Sequence, residues 1–262
     1  MEPLLKWPGG KRRLVEEISA LLPAKYSRYY EPFLGGAALF FHLIPANACL
    51  SDKNSELINA YLQVKRSPQR VIRELGKWKN SEREYYRVRE LRPRSKYERA
   101  ARLIYLCTLS FNGIYRQNLS GDFNVPYGFK THLHPCDESK IIEASQCLES
   151  AKLTDQDFTD AVRRAKTGDV VYFDPPYTVA HGNNGFVKYN AKIFSWDDQK
   201  RLSRVARRLA DKGCAVFVSN ADHDSIHQLY KEFSVRVIDR RSVIAASSDF
   251  RKGITECVFF SR

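Results

Sequence analysis

The sequence predicts an α/β protein: a doubly wound sheet interrupted by a mostly helical, basic insert. Three observations predict it. Short apolar runs alternate with helical periodicity at both ends of the chain. The first such run ends in Gly35-Gly36 and the second in Asp52, the signature of a nucleotide-binding βαβ half. Between about residues 60 and 140 the alternation stops, and residues 60–135 carry 16 Lys and Arg against 6 Asp and Glu.

Each element follows from its pattern. Leu14, Ile18, Leu21 and Leu22 share a face, so Lys11–Leu22 reads as a helix closed by Pro23. Tyr29–Phe33 is a short strand running into Leu34-Gly35-Gly36, and the helix Ala37–Leu43 begins at once. Ala48–Ser51 is a second strand, ending at Asp52, and Asn54–Val64 a second helix. Residues 68–110 are helical by periodicity and rich in Arg, Glu and Tyr. In residues 111–136 Gly, Asn and Pro forbid a long helix. Alternation then resumes, with a strand at Asp169–Phe173, a helix at Asp197–Asp211 and a strand at Cys214–Ser219. A helix at Asp222–Phe233 and strands at Val235–Asp239 and Ile254–Phe260 complete the reading.

Composition bounds the function. With 262 residues, 43% hydrophobic and 28% charged, the chain can build one large domain carrying a smaller insertion. Collagen-like, low-complexity and disordered chains are excluded. No stretch approaches the roughly 20 apolar residues of a membrane helix. The opening MEPLLKWPGGKRRL breaks the apolar core of a signal peptide, so a soluble cytoplasmic protein is expected. The six cysteines are scattered with no C-x-x-C pair, as reduced thiols are. A net charge of +13, concentrated in the insert, is the footprint of a polyanion binder, though a solvated basic face has the same composition.

Two constellations carry chemistry. Glu31-Pro32-Phe33-Leu34-Gly35-Gly36 lets a ligand approach the backbone, and Asp52 can accept bonds from ribose hydroxyls. A full G-x-G-x-x-G is missing, which favours an adenosine ligand without phosphates. The second is Asp174-Pro175-Pro176-Tyr177, directly after the apolar Val170–Phe173. Paired prolines cannot continue the ladder and hold a rigid turn. That turn offers a carboxylate, a prolyl carbonyl and an aromatic ring, a set suited to an exocyclic amino group on a planar base. Two acceptors gripping the amino hydrogens draw its nitrogen toward sp³ and make it nucleophilic.

In this order the motifs resemble the Dam-type DNA adenine-N6 methyltransferases over nearly the whole chain. The match includes Lys6-Trp7-Pro8-Gly9-Gly10-Lys11, Glu31–Gly36, Ser51-Asp52-Lys53-Asn54, Phe111-Asn112-Gly113, Asp122–Gly128 and Asp174–Tyr177. The resemblance implies a Rossmann-like methyltransferase sheet (1–59 and 141–262) and a target-recognition insert (60–140). It implies S-adenosylmethionine as methyl donor, with Trp7, Lys11, Glu31, Phe33, Gly35, Asp52 and Asp174 around it. Asp174, Pro175, Pro176 and Tyr177 become the catalytic turn, Tyr177 stacking on a flipped adenine. Phe111, Asn112, Arg116, Pro126 and Lys130 fall to double-stranded DNA, Arg116 reading a guanine and Phe111 wedging between bases. Phe129 stands where better-known members carry a base, so GATC is an expectation about the target. A cognate restriction nuclease, a monomer on DNA and a nucleoid-associated location in a bacterial or phage host complete what it implies.

Other patterns point less far. Residues 181–190, with Tyr189, read as a lid over the flipped base or as a surface loop. Residues 240–253 read as a basic hairpin that contacts DNA or only solvent. Pro135-Cys136 lies in the insert, away from a strand end, and is no cytosine-methylase nucleophile. His132, His134 and Cys136 lack a fourth ligand, and His223 with His227 lacks the Glu of a zincin, so no metal is expected. The alternatives to the main reading are an amino-methyltransferase acting on RNA or cytosine N4, and a catalytically silent DNA-binding homologue.

Overall fold

Short apolar runs bounded by Gly, Pro or Asp form strands, and longer periodic runs form helices, across residues 1–118, 120–178, 194–240 and 254–261, which the computed structural model describes. In chain order the first elements are α1 (Val15–Leu21), β1 (Tyr29–Glu31), α2 (Ala38–Leu43), β2 (Ala48–Asp52) and α3 (Ser55–Arg66). Helices α4 (Pro68–Leu75), α5 (Glu82–Glu90), α6 (Lys96–Leu109) and α7 (Glu138–Cys147) follow, then β3 (Lys152–Asp155), α8 (Phe158–Ala161) and β4 (Val170–Phe173). The last are α9 (Trp196–Asp211), β5 (Ala215–Ala221), α10 (Asp224–Leu229), β6 (Ser234–Arg240) and β7 (Ile254–Phe260).

The chain packs as two units. One comprises Met1–Val15 and Leu34–Gln156, the other Glu16–Phe33 and Asp157–Arg262. In the first, β2 pairs parallel with β3, Leu50 opposite Leu153. Helix α3 lies against α6 and α7, and α4 against α6. Leu57, Ile58, Tyr61 and Val64 of α3, Val71 and Leu75 of α4, and Ala101, Ile104 and Tyr105 of α6 fill the space between them. Burying each Leu, Ile or Val side chain stabilises the unit by about 1.5–3 kcal/mol. Asn54 caps α3 by accepting from the N–H groups of Glu56 and Leu57.

In the second unit, β4 pairs parallel with β1 and with β5, while β7 runs antiparallel between β5 and β6. All four residues of β4 are buried, as a central strand covered on both faces requires. Helix α9 opens with a capping box between Ser195 and Asp198 and buries Leu202, Val205, Ala206 and Leu209. Within this unit the strand order is β1-β4-β5-β7-β6. The expected α/β class, with a mostly parallel sheet, is what the chain adopts. Among the described residues no helix is long and apolar enough to cross a membrane.

Several element limits differ from expectation. The first helix starts at Val15, because residues 11–14 close a turn in which the Leu14 N–H donates to the Lys11 carbonyl at 2.7 Å. The expected helical stretch 68–110 is three helices, ended at Gly76 and Leu91 and restarted behind the Ser81 side chain and at Lys96. Strand β3, KLTD, has no apolar run and buries Leu153 alone; its pairing with β2 makes it a strand. Helix α10 is shorter than Asp222–Phe233: His223 caps its start by accepting from the Ser225 N–H, and Tyr230, at φ −116° and ψ 26°, ends it. Residues 181–190 and 241–253 lie outside the described residues.

Candidate active site

The site residues of the first unit gather around one turn. Gly35 has a left-handed φ of +47°, and a Cβ there would stand 2.9 Å from Trp7 Cδ1, so the turn tolerates only glycine beneath the indole. The Gly35 N–H donates to Asp52 Oδ2 at 3.0 Å, and the Asn54 N–H to Asp52 Oδ1 at 2.9 Å. Burial pushes the Asp52 carboxyl above its ordinary range, and those two N–H groups pull against it. Tyr61 on α3 donates its hydroxyl to the Gly35 carbonyl at 3.1 Å. Lys11 is buried, with Nζ donating to the Gly9 carbonyl at 2.8 Å. The structure thus brings Trp7, Gly35 and Asp52 together. It adds Tyr115, which sequence reasoning missed: its ring stacks on Trp7 at 4.5 Å and 16°.

The DNA candidates of the same unit form a second group. The Phe111 N–H donates to the Pro126 carbonyl at 2.9 Å and the Gly128 N–H to the Leu109 carbonyl at 2.8 Å. Two motifs well separated in sequence therefore share one ledge. Phe111 is 53% exposed on it, Asn112 takes a left-handed φ of 54°, and Pro126 is exposed. The exposed Arg116 side chain is held by Asn124, Nε donating to Oδ1 at 2.8 Å. Lys130 is half-buried and donates to the Thr108 carbonyl at 3.1 Å. Burial, with Lys6 nearby, brings its ammonium down to about 8. Beside it Phe129 is 67% exposed, its ring edge-on to Tyr127.

In the second unit the chemistry sits at the carboxyl end of β4. Asp174 and Tyr177 are half-buried, and Pro175 is buried. Tyr177 donates its hydroxyl to Glu256 Oε2 at 2.9 Å, and Gln199 Nε2 donates to the Pro176 carbonyl at 3.3 Å. Asn220 Nδ2 in turn donates to Gln199 Oε1 at 3.0 Å. Burial, then Glu256 and Asp174, hold the Tyr177 phenol far above its ordinary value, so it stays protonated as a donor. Glu31 is buried and accepts from the Tyr29 hydroxyl at 2.8 Å. Phe33 stacks on Phe158 at 5.3 Å and meets Phe194 edge-on at 5.4 Å. Gln199 carried no sequence signal. Glu256 did: an acid inside the apolar run Ile254–Phe260 is too costly to bury without partners.

The arrangement presents acceptors beside an anchored aromatic ring in one unit, and a glycine turn with a strand-end acid in the other. Comparison with known proteins gives the family of the chain. Residues 7–244 match the family model described as D12 class N6 adenine-specific DNA methyltransferase. The chain is 40% identical to the Type II methyltransferase M1.LlaDCHI of Lactococcus lactis subsp. cremoris, over 98% of this chain and 94% of that protein. It is 31% identical to the Type II methyltransferase M.MjaIII of Methanocaldococcus jannaschii, over 100% of this chain and 99% of that protein. It is also 31% identical to the DNA adenine methylase of Escherichia coli K12, over 96% of this chain and 92% of that protein. The chain belongs to the D12 class of N6 adenine-specific DNA methyltransferases.

Proposed function

We propose that the protein transfers a methyl group from S-adenosylmethionine to N6 of an adenine flipped out of double-stranded DNA, with GATC as the target. The observation that carries this reading is the braced turn Asp174-Pro175-Pro176-Tyr177, tied to Gln199 through the Pro176 carbonyl and to Glu256 through the Tyr177 hydroxyl. An incidental proline turn needs no such bracing.

The residues suit S-adenosylmethionine. Asp52 accepts backbone N–H groups from Gly35, Asn54 and Lys53, and a carboxylate's roughly four lone-pair sites leave one for a ribose hydroxyl. Gly35 and Gly36 lie against the Trp7 side chain, an apolar floor suited to a nucleoside without phosphates. Trp7, Lys11, Gly35 and Asp52, with Glu31, Phe33 and Asp174, are proposed to hold it. When bound, it supplies a sulfonium methyl that needs no further activation.

The chain's own residues do the rest. Flipping the adenine costs roughly a few kcal/mol and frees its N6 hydrogens from pairing. The Asp174 carboxylate and the Pro175 carbonyl accept those hydrogens and draw the nitrogen lone pair out of the ring. Tyr177, its hydroxyl fixed on Glu256, offers a ring that cannot swing away from the base. Asp174 takes up the proton that N6 sheds. Orientation supplies most of the acceleration. Residues 60–140 act as the recognition insert, with Phe111, Asn112, Arg116, Pro126 and Lys130 toward DNA, and 1–59 with 141–262 as the catalytic part. A cognate nuclease, a monomer on DNA and residence at the nucleoid belong to the same reading.

Incubating the protein with labelled S-adenosylmethionine and unmethylated genomic DNA, then sequencing single molecules, tests the reaction and its target. N6-methyladenine in GATC is the expected product. Methyl on cytosine overturns the base assignment, and no transfer to DNA turns the reading toward RNA or a silent binder. Asp174→Ala should abolish transfer and leave DNA affinity within about twofold; unchanged turnover sinks the mechanism.

A further inference from the structure

Asp222, His227 and Cys257 come from three places in the second unit: the residue after β5, helix α10 and the middle of β7. Among the described residues they form a group whose ligating atoms all lie within 4.8 Å of one another. Asp222 Oδ1 stands 2.7 Å from His227 Nε2 and 3.2 Å from Cys257 Sγ, and Sγ lies 3.6 Å from Nε2. Tetrahedral zinc, with bonds of about 2.3 Å to sulfur and about 2.0 Å to nitrogen or oxygen, sets its donors about 3.3–3.5 Å apart. Both sulfur edges already come within about 0.3 Å of that length, and the oxygen–nitrogen edge needs to open by about 0.6 Å.

The surroundings are those of a held site. Thr255 and Cys257 share a face of β7, and Thr255 hydrogen-bonds the Asp222 carboxylate. Phe259, on the same face, meets the His227 ring edge-on at 5.2 Å and fixes its plane. Cys257 is buried, while the Asp222 and His227 side chains keep 27% and 35% of their exposure, which leaves an entry path and a fourth position for water. A set of one sulfur, one imidazole and one carboxylate suits zinc and not magnesium or calcium, which take oxygen. The sequence pairs His223 with His227 by spacing, but His223 caps α10, and Cys257 beside His227 lies 30 residues on.

We infer that Asp222, His227 and Cys257 bind a divalent zinc-type ion through three protein ligands and one water, pinning β5, α10 and β7 to each other. On binding, the Cys257 thiol proton passes to solvent, and His227 moves its proton to Nδ1 so that Nε2 is free to coordinate. The ion changes no oxidation state.

The test uses the intact protein, dialysed first against Zn²⁺ and separately against Co²⁺. One ion per chain is expected, with a tetrahedral visible spectrum for Co²⁺ and a thiolate-to-cobalt charge-transfer band. Cys257→Ser should remove that band, and Asp222→Asn, which keeps the shape and the hydrogen bonds, should weaken zinc binding at least tenfold. A wild-type protein that holds no ion at micromolar zinc overturns the inference, as does a charge-transfer band that survives Cys257→Ser. Should Cys257→Ser fail to fold, equal zinc affinity in Asp222→Asn and wild type overturns it instead.

Discussion

Arg116 and Lys130, both in the basic stretch 60–140, are held in different ways. Arg116 is exposed but steered by Asn124, which fixes the direction of its fork. Replacing it with Ala should relax one base position by about 1–3 kcal/mol, seen as methylation of degenerate sites, instead of weakening every site equally. Lys130 is turned onto the Thr108 carbonyl, and burial lowers its ammonium to about 8. The sign follows from linkage. Between about pH 8 and pH 10.5 the unfolded chain keeps this proton and the folded one sheds it, so stability from this group rises with pH across that window. Denaturant unfolding of wild type against Lys130→Met should therefore show the difference between them shrinking from pH 7.5 toward pH 10; a constant difference contradicts the buried position. At this scale the sequence singled out Asp174, Tyr177, Gly35 and Asp52 as candidates by their position at strand ends. It did not single out Tyr115, Gln199 and Asn124, because their roles arise from contacts that no spacing encodes.

At the scale of elements, the ledge that joins Phe111 to Pro126 depends on one close approach. A Cβ on Gly128 would stand 2.6 Å from the Ser110 carbonyl oxygen and 2.9 Å from that of Leu109, both backbone atoms that cannot step aside. Gly128→Ala should part the two segments, lower DNA affinity at least tenfold and leave S-adenosylmethionine binding unchanged by calorimetry. Loss of both together would place the ledge within the cofactor site. Strands and helices with a strong apolar rhythm were legible: β4, α3 and α9 fall within a few residues of their expected limits. Strand β3 and the single turn of α8 were not. The first is polar and edge-like, and the second is held by the Asp157 cap and by Phe158 against Phe33. The start of α10 shifted because the His223 side chain took an end N–H.

For the molecule as a whole, alternation of strands and helices told the α/β class. What the pattern withheld was the order of the last strands, since an antiparallel hairpin and a strand inserted between neighbours have the same period. Residues 254–260 are not an addition to the edge of the sheet: β7 lies between β5 and β6 and hydrogen-bonds both. The ribosome therefore delivers β5, with its buried Val216, Phe217 and Val218, well before the strand that covers its second edge exists. Nascent chains stalled before residue 254 should expose that apolar edge, bind chaperones and resist protease poorly. Chains stalled with residue 260 clear of the exit tunnel should become protected in one step. A gradual gain of protection along the chain would contradict this. On this prediction synthesis runs ahead of folding, and chaperones hold the chain in the interval.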